Sequence, residues 1–297
     1  MERQDLPTEL VIYILETTAQ ISVQFCLTLS LVSSWTRRLA LPHLFTTVVL
    51  KDNTSFFKFL EPLDKQPPKH PWPDCRPLHH VQNLWLEVAQ PSLRTVFSGC
   101  CNLQKLALDH EAFTWLVFLS STLAEDRCRQ AFLPFANPTR STGLDVLMIL
   151  HDRRNWTNLL KHYQDSYFVP RITRLRLPYL KSYDRQCLPA KSFPRLSHLA
   201  IPFYDLQLHD LALLEPVLAL EGLEVLVVVI MTDRTSSAAY KSVLAWFSNT
   251  HSMTSKVFLA EATSDDVETS WKLEGKGGDS IWDCATVFTQ SLTLNGD

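Results

Sequence analysis

Glycine is scarce in this chain, with seven in 297 residues. No G-x-G-x-x-G, G-x-x-x-x-G-K-[ST] or G-x-S-x-G pattern occurs, so the usual backbone phosphate cradles and the nucleophile elbow lack their signatures. The seven cysteines are an odd number and contain no C-x-x-C pair, and they are expected to be reduced, buried thiols acting as small hydrophobes. No H-E-x-x-H is present. Strongly apolar runs are short: the longest, Val225 to Met231, is about a third of what a membrane-spanning helix needs. The opening residues Met1-Glu2-Arg3-Gln4-Asp5 carry acids where a secretory leader carries bases. A net charge of -3 and a pI near 6.4 give no reason to expect nucleic acid or an anionic membrane as partner. The chain is therefore expected to be cytoplasmic and/or nuclear.

What is abundant is leucine, roughly one residue in six, which favours packing and binding over chemistry. Charge is unevenly spread. Residues 1–119 are nearly balanced, with 10 Lys+Arg against 11 Asp+Glu; residues 120–199 hold 13 against 6, and residues 200–297 hold 5 against 14. Such polarity makes either two oppositely tinted solvated faces or a bipolar surface that orients a charged partner.

The first fifty residues read as three short helices. Leu6 to Leu15 has Pro7 suited to the first helical position and Glu9 near the positive end of the helix dipole. Leu10 with Ile14, and Val11 with Leu15, are i,i+4 pairs on an apolar side. A second stretch runs from Val23 to Trp35, and a third, from Thr36, is expected to close at Leu41 because Pro42 follows. Three such helices cannot bury all their apolar side chains among themselves. Some of Leu6, Pro7, Leu10, Ile14, Leu31 and Trp35 must face a partner or the rest of the chain.

The order L-P-x-E-L-x-x-x-I-L, then a Leu-rich helix leading to Leu31-Val32-Ser33-Ser34-Trp35, then Arg37-Arg38-Leu39-Ala40-Leu41-Pro42, resembles the F-box. It departs from that family in the segment Glu16 to Gln24 and at Ser34, where a basic residue is frequent. The resemblance covers about a sixth of the chain. It implies a module over residues 1–50 that docks on a Skp-type adaptor and, through it, on a cullin. The residues it implies for that contact are Leu6, Pro7, Leu10, Ile14, Leu31, Val32 and Trp35. A helical cap with no partner is the alternative.

Beyond residue 50 the template apolar-x-x-Leu-x-apolar recurs at Val81-Leu84-Leu86, Leu103-Leu106-Leu108, Leu144-Leu147-Ile149, Ile172-Leu175-Leu177, Leu196-Leu199-Ile201 and Leu223-Leu226-Val228. Weaker copies start at Phe45 and Thr254. Most spacings fall near the 20–29 residue period of leucine-rich repeats. Helical segments lie between the copies, one ending at Gly99, where glycine is expected to cap it. The expected fold class is α/β: a three-helix F-box, then an irregular leucine-rich-repeat-like solenoid with a parallel sheet over residues 51–297. The match to that repeat family is architectural, since the asparagine usual after the strand is missing in most copies. Residues 63–80, with five prolines, read as an irregular surface loop, and Ile281 to Leu294 as a cap on the open end of the stack.

The densest set of metal-ligand residue types, His70, Cys75, His79 and His80, lacks the spacing and second pair of a structural zinc site, so no metal or other cofactor is expected. Asp265 and Asp266 read as acids favouring a helix N-terminus. Arg174 and Arg176 share one side of a strand and are either solvated or a contact patch for an acidic target. The sequence thus reads as a non-catalytic substrate receptor of an SCF-type ubiquitin ligase with an unknown target protein. The rivals are a scaffold protein with no ligase link and a cysteine- or metal-dependent enzyme.

Overall fold

A computed structural model describes residues 6–64, 77–90, 92–121, 143–149, 166–177, 193–204, 211 and 214–294. Eight strands form one sheet: β1 Thr47–Leu50, β2 Asn83–Leu86, β3 Lys105–Leu108, β4 Leu144–Met148, β5 Ile172–Arg176, β6 His198–Phe203, β7 Val225–Met231 and β8 Val257–Ala262. Every strand lies beside its neighbour in sequence, and every pairing is parallel. Parallel neighbours need a crossover between them, and the described helices that follow strands lie over a face of the sheet. The fold is accordingly mixed α/β.

Register explains why the repeated leucines matter. Val48, Leu84, Leu106, Val146, Leu175, Leu199, Leu226 and Val257 are successive cross-strand partners, forming one row across the sheet. All are buried in the main core. Each such side chain contributes about 1.5–3 kcal/mol when fully removed from water. The helices α4 Asn53–Asp64, α5 Leu93–Gly99, α6 His110–Leu119, α7 Glu215–Leu218 and α8 Ser237–His251 cover this face, setting Phe56, Phe97, Phe113, Val217 and Phe247 into the same core. The apolar run Val225–Met231 is a strand covered on both faces. Leu226, Val228 and Ile230 enter the main core, and Val227, Val229 and Met231 a second cluster.

The template slips by one residue in β4. The core row takes Val146 and Met148, while Leu147 turns to the opposite face beside Trp85 and Ala107. The cause is a bulge: Leu144 pairs with Ile172, but Asp145 already pairs with Arg174. Gly143 sits where a Cβ would come within 2.6 Å of the Thr173 Cβ, so the strand enters at a close approach only glycine allows.

The opposite face is covered by the last two helices, α9 Val267–Glu274 and α10 Ile281–Leu294. Asp266 directly precedes α9, in keeping with an acid at a helix start. Between α9 and α10 the chain reverses at Gly277, whose φ of +91° disfavours any side chain. The helix α10 starts with a reciprocal cap: Ser280 N–H donates to Asp283 Oδ2 (3.0 Å), and Asp283 N–H to Ser280 Oγ (3.2 Å). The expected cap on the open end is there in part. Thr289 Oγ1 accepts the Leu259 N–H (2.9 Å), satisfying the outer edge of β8, while Trp282 and Ala285 lie over the sheet face instead.

The N-terminal helices are α1 Thr8–Ile21, α2 Val23–Val32 and α3 Ser34–Phe45. Their boundaries differ from the sequence expectation. Pro7 precedes α1 in an extended conformation, and α1 continues to Ile21, so only Ser22 separates it from α2. Ser33 caps α3 through a capping box with Thr36, which places Trp35 in the first turn of α3. Helix α3 also runs through Pro42. A proline this near the end costs one backbone bond, and the last turn is held by Phe45, which packs against the main core. Gly99 is the last residue of α5 and not a left-handed cap: an added Cβ would come within 2.8 Å of the Leu78 Cβ, so close packing requires glycine there.

Among the cysteines, Cys26 and Cys100 are buried as expected, whereas Cys284 is exposed on α10. Burial pushes both buried thiols above their ordinary pKa. Cys75, Cys128 and Cys187, and His70, lie outside the described residues, as does most of the 63–80 loop. His79 and His80 belong to a short 3-10 turn, Pro77–His80, and among the described residues no metal-binding group of three His, Cys, Asp or Glu occurs. No described helix is long and apolar enough to cross a membrane.

Candidate functional site

The three N-terminal helices share a small core: Ala19, Cys26, Leu29 and Ala40, with Leu15, Phe25 and Leu44 against it. Polar groups lock the helices together. The Cys26 thiol donates to the Ala19 carbonyl (3.0 Å), Thr36 Oγ1 donates to the Leu29 carbonyl (2.7 Å), and Arg37 Nε to the Ser30 carbonyl (2.8 Å). A core this small leaves the remaining apolar side chains outside it. Leu6, Pro7, Leu10, Ile14, Leu31, Val32 and Trp35 are all exposed, Trp35 at 42% and Leu31 at 82%.

Four exposed residues absent from the sequence assignment belong with them: Tyr13, Ile21, Val23 and Leu27. Val23, Leu27 and Leu31 stand at i, i+4 and i+8 on α2, a stripe visible in the sequence. The decisive signal is charge. Helix α2 contains no charged residue, although a helix facing water normally carries charges there. Exposed apolar surface of this kind is what docking faces present in proteins generally.

The second candidate is the sheet face opposite the main core. The register sets Thr47, Asn83, Lys105, Asp145, Arg174 and His198 in one polar row. Arg174 is exposed, its guanidinium 6.0 Å from the Trp282 ring centre. Arg176 is buried, which removes it from the solvent-facing contact patch expected of it. Its Nη1 and Nη2 donate to both carboxylate oxygens of Glu274 (2.7 and 2.6 Å), and Nη2 also to Asp145 Oδ2 (3.2 Å). Burial works against the Arg176 charge, but Asp145 and Glu274 outweigh it and hold its pKa above the ordinary value. Trp282 Nε1 donates to the same Asp145 oxygen (3.2 Å), and the Asn83 amide donates to the Gly275 carbonyl (3.2 Å).

Part of the charge asymmetry in the sequence is therefore matched within the chain, some of it buried and some at the surface. Acids of the C-terminal segment meet bases on or next to the sheet: Glu274 meets Arg176 and Lys105, and Glu268 meets Lys51, which directly follows β1. The arrangement is a charge-matched closure, and no group of three His, Cys, Asp or Glu able to hold a metal ion occurs among the described residues. No protein-family model, curated protein or solved structure matches the chain.

Proposed function

We propose that the chain is the substrate-recognition subunit of an SCF-type, cullin-based ubiquitin ligase. Residues 1–50 act as an F-box-like module that binds a Skp-type adaptor, and residues 51–297 as a leucine-rich-repeat-like solenoid that holds a target protein. The observation that carries this reading is the exposure of Leu6, Leu10, Ile14, Leu31, Val32 and Trp35 on α1, α2 and the start of α3, with no charged residue anywhere in α2. Had these residues been sealed against the later strands, the adaptor reading would have lost its surface. The sequential order of eight parallel strands supports the second half, because stacking one strand–helix unit on the next produces that order.

In this role the chain performs no chemistry. It holds a target's lysines near a charged ubiquitin carrier, a rate effect of effective concentration. Co-purification with a recombinant Skp-type adaptor tests the proposal. The full chain should bring the adaptor through size-exclusion chromatography, and Leu10→Asp or Leu31→Asp should weaken the association by at least about tenfold, the cost of placing one charge in an apolar contact. A well-folded chain that never retains the adaptor overturns the reading and leaves a scaffold protein.

A further inference from the structure

The closed sheet face is built to receive a helix. Trp271 of α9 meets Trp85 edge-on, with ring centres 5.4 Å apart, in a small cluster with Ala107 and Leu147. Trp282 of α10 sits among Ala200, Val227 and Val229. Between the two tryptophans, Glu274 delivers its carboxylate to Arg176, and the C-terminal end of α9 turns its Gly275 carbonyl toward the Asn83 amide. These clusters are separate from the main core. Only Phe288 and Leu292, at the β8 edge, reach that core from this segment.

We infer that α9 and α10 form a strap that occupies a helix-docking face in cis and opens as a unit while the main core stays folded. The ligand that fits the opened face is an amphipathic helix carrying a tryptophan three residues before a carboxylate, the spacing of Trp271 and Glu274. Three features favour opening. The anchor is a buried ion pair, whose desolvation cancels much of its attraction. Among the described residues Arg176 Nε is buried without a hydrogen-bond partner, so the closed state leaves that donor unmet there. Apart from Phe288 and Leu292, the apolar side chains released on opening belong to clusters outside the main core. The opened face would expose Trp85, Leu147, Val227 and Val229, which a second helix must cover again. The identity of that helix as a ubiquitination target rests on the receptor reading above; the opening itself does not.

Hydrogen exchange on the full chain, followed by mass spectrometry, tests the strap. Peptides from α9 and α10 should exchange together, at least about a hundredfold faster than those from β6 and β7. Glu274→Gln should accelerate α9 and α10 by a further factor of about ten and leave β7 unchanged. One common rate for strap and sheet, shifted equally by the variant, overturns the inference. A fluorescent peptide of residues 264–294 supplies the second readout. It should bind the full-length Glu274→Gln chain saturably, bind the unaltered chain about tenfold more weakly because the strap competes, and lose binding when the peptide itself carries Glu274→Gln. No binding to the variant chain overturns the docking face. A variant chain that elutes as a stable dimer overturns the partner helix, because the occupant is then a second copy. Adaptor retention is scored separately through Leu10 and Leu31, so a failed strap and a failed receptor reading give different results.

Discussion

The Arg176 guanidinium and the Glu274 carboxylate face each other as a two-bonded pair, at 2.7 and 2.6 Å, although 98 residues separate them in the chain. The pair ties the middle of the sheet to the helix that closes over it. Removing one member strands the other: Glu274→Ala leaves the buried Arg176 with Asp145 alone, a loss of about 3–5 kcal/mol from the closed state. In urea, hydrogen exchange of peptides from α9 and α10 should then rise at a lower concentration than that of peptides from β6 and β7. Replacing all three buried charges, Arg176→Met and Glu274→Leu with Asp145→Asn, should bring the two transitions back together, because no unpaired charge of the network remains buried.

Leu29 and Leu31, two residues apart on α2, have opposite surroundings. Leu29 is buried in the small helical core and Leu31 is 82% exposed. Leu29→Ala should lower stability by about 2–4 kcal/mol, whereas Leu31→Ala should stay within about 0.5 kcal/mol. Thermal unfolding of the two variants checks which side of α2 is turned outward. Equal losses would place Leu31 inside and remove the exposed strip.

Several strands are legible in the amino-acid sequence, and the reason is local. Leu84, Leu106, Leu175, Leu199 and Leu226 mark their strands because each sits in one row of a parallel sheet, where the same apolar spacing must recur. Leu147 misleads because a one-residue bulge at Leu144/Asp145 leaves no trace in hydropathy. Pro42 misleads because a helix end can absorb one missing bond when Phe45 is anchored beyond it. The return of α9 and α10 across the sheet is not legible, since amphipathicity says that a helix covers something and not what. One signal does point to it: Asp145 and Arg176 are opposite charges within strands otherwise rich in apolar residues, and buried charge requires a partner. The exposed strip is legible because it is a matter of count, too many apolar side chains for three short helices.

Thr289 holds the outer edge of the sheet. Its hydroxyl accepts the Leu259 N–H at 2.9 Å, and His251 Nδ1 lies 3.1 Å from the Val257 carbonyl on the same edge strand. Thr289→Val keeps the shape and removes the acceptor, leaving a buried N–H unmet at a cost of about 1–3 kcal/mol. The Leu259 amide should lose exchange protection, and the protein should scatter more light at high concentration as β8 pairs with other chains. Thr289→Ser, which restores the oxygen, should reverse both changes.

His198 makes the closure sensitive to pH. Its ring meets Trp282 edge-on at 5.3 Å, and its Nδ1 lies 2.8 Å from the Ser197 hydroxyl. Burial first, then the Arg174 charge, hold its pKa below the ordinary 6.5, with Glu224 and Asp145 pulling weakly the other way. The folded protein therefore binds this proton less readily than the unfolded chain. The neutral-ring contribution is complete above 6.5 and is lost as pH falls through 6.5 toward the depressed folded value. Melting temperatures of the unaltered chain and of His198→Gln, measured between about pH 7.5 and pH 5, should converge or cross as the pH falls. Glu268 and Asp283, whose carboxyls are held below their usual range by Lys272 and by Ser280 in turn, lose stability on the acid side in both proteins, so they cancel in the difference. A gap between the two proteins that stays constant across this range would mean that His198 carries the same proton folded and unfolded, and that Trp282 closes over it without regard to its charge.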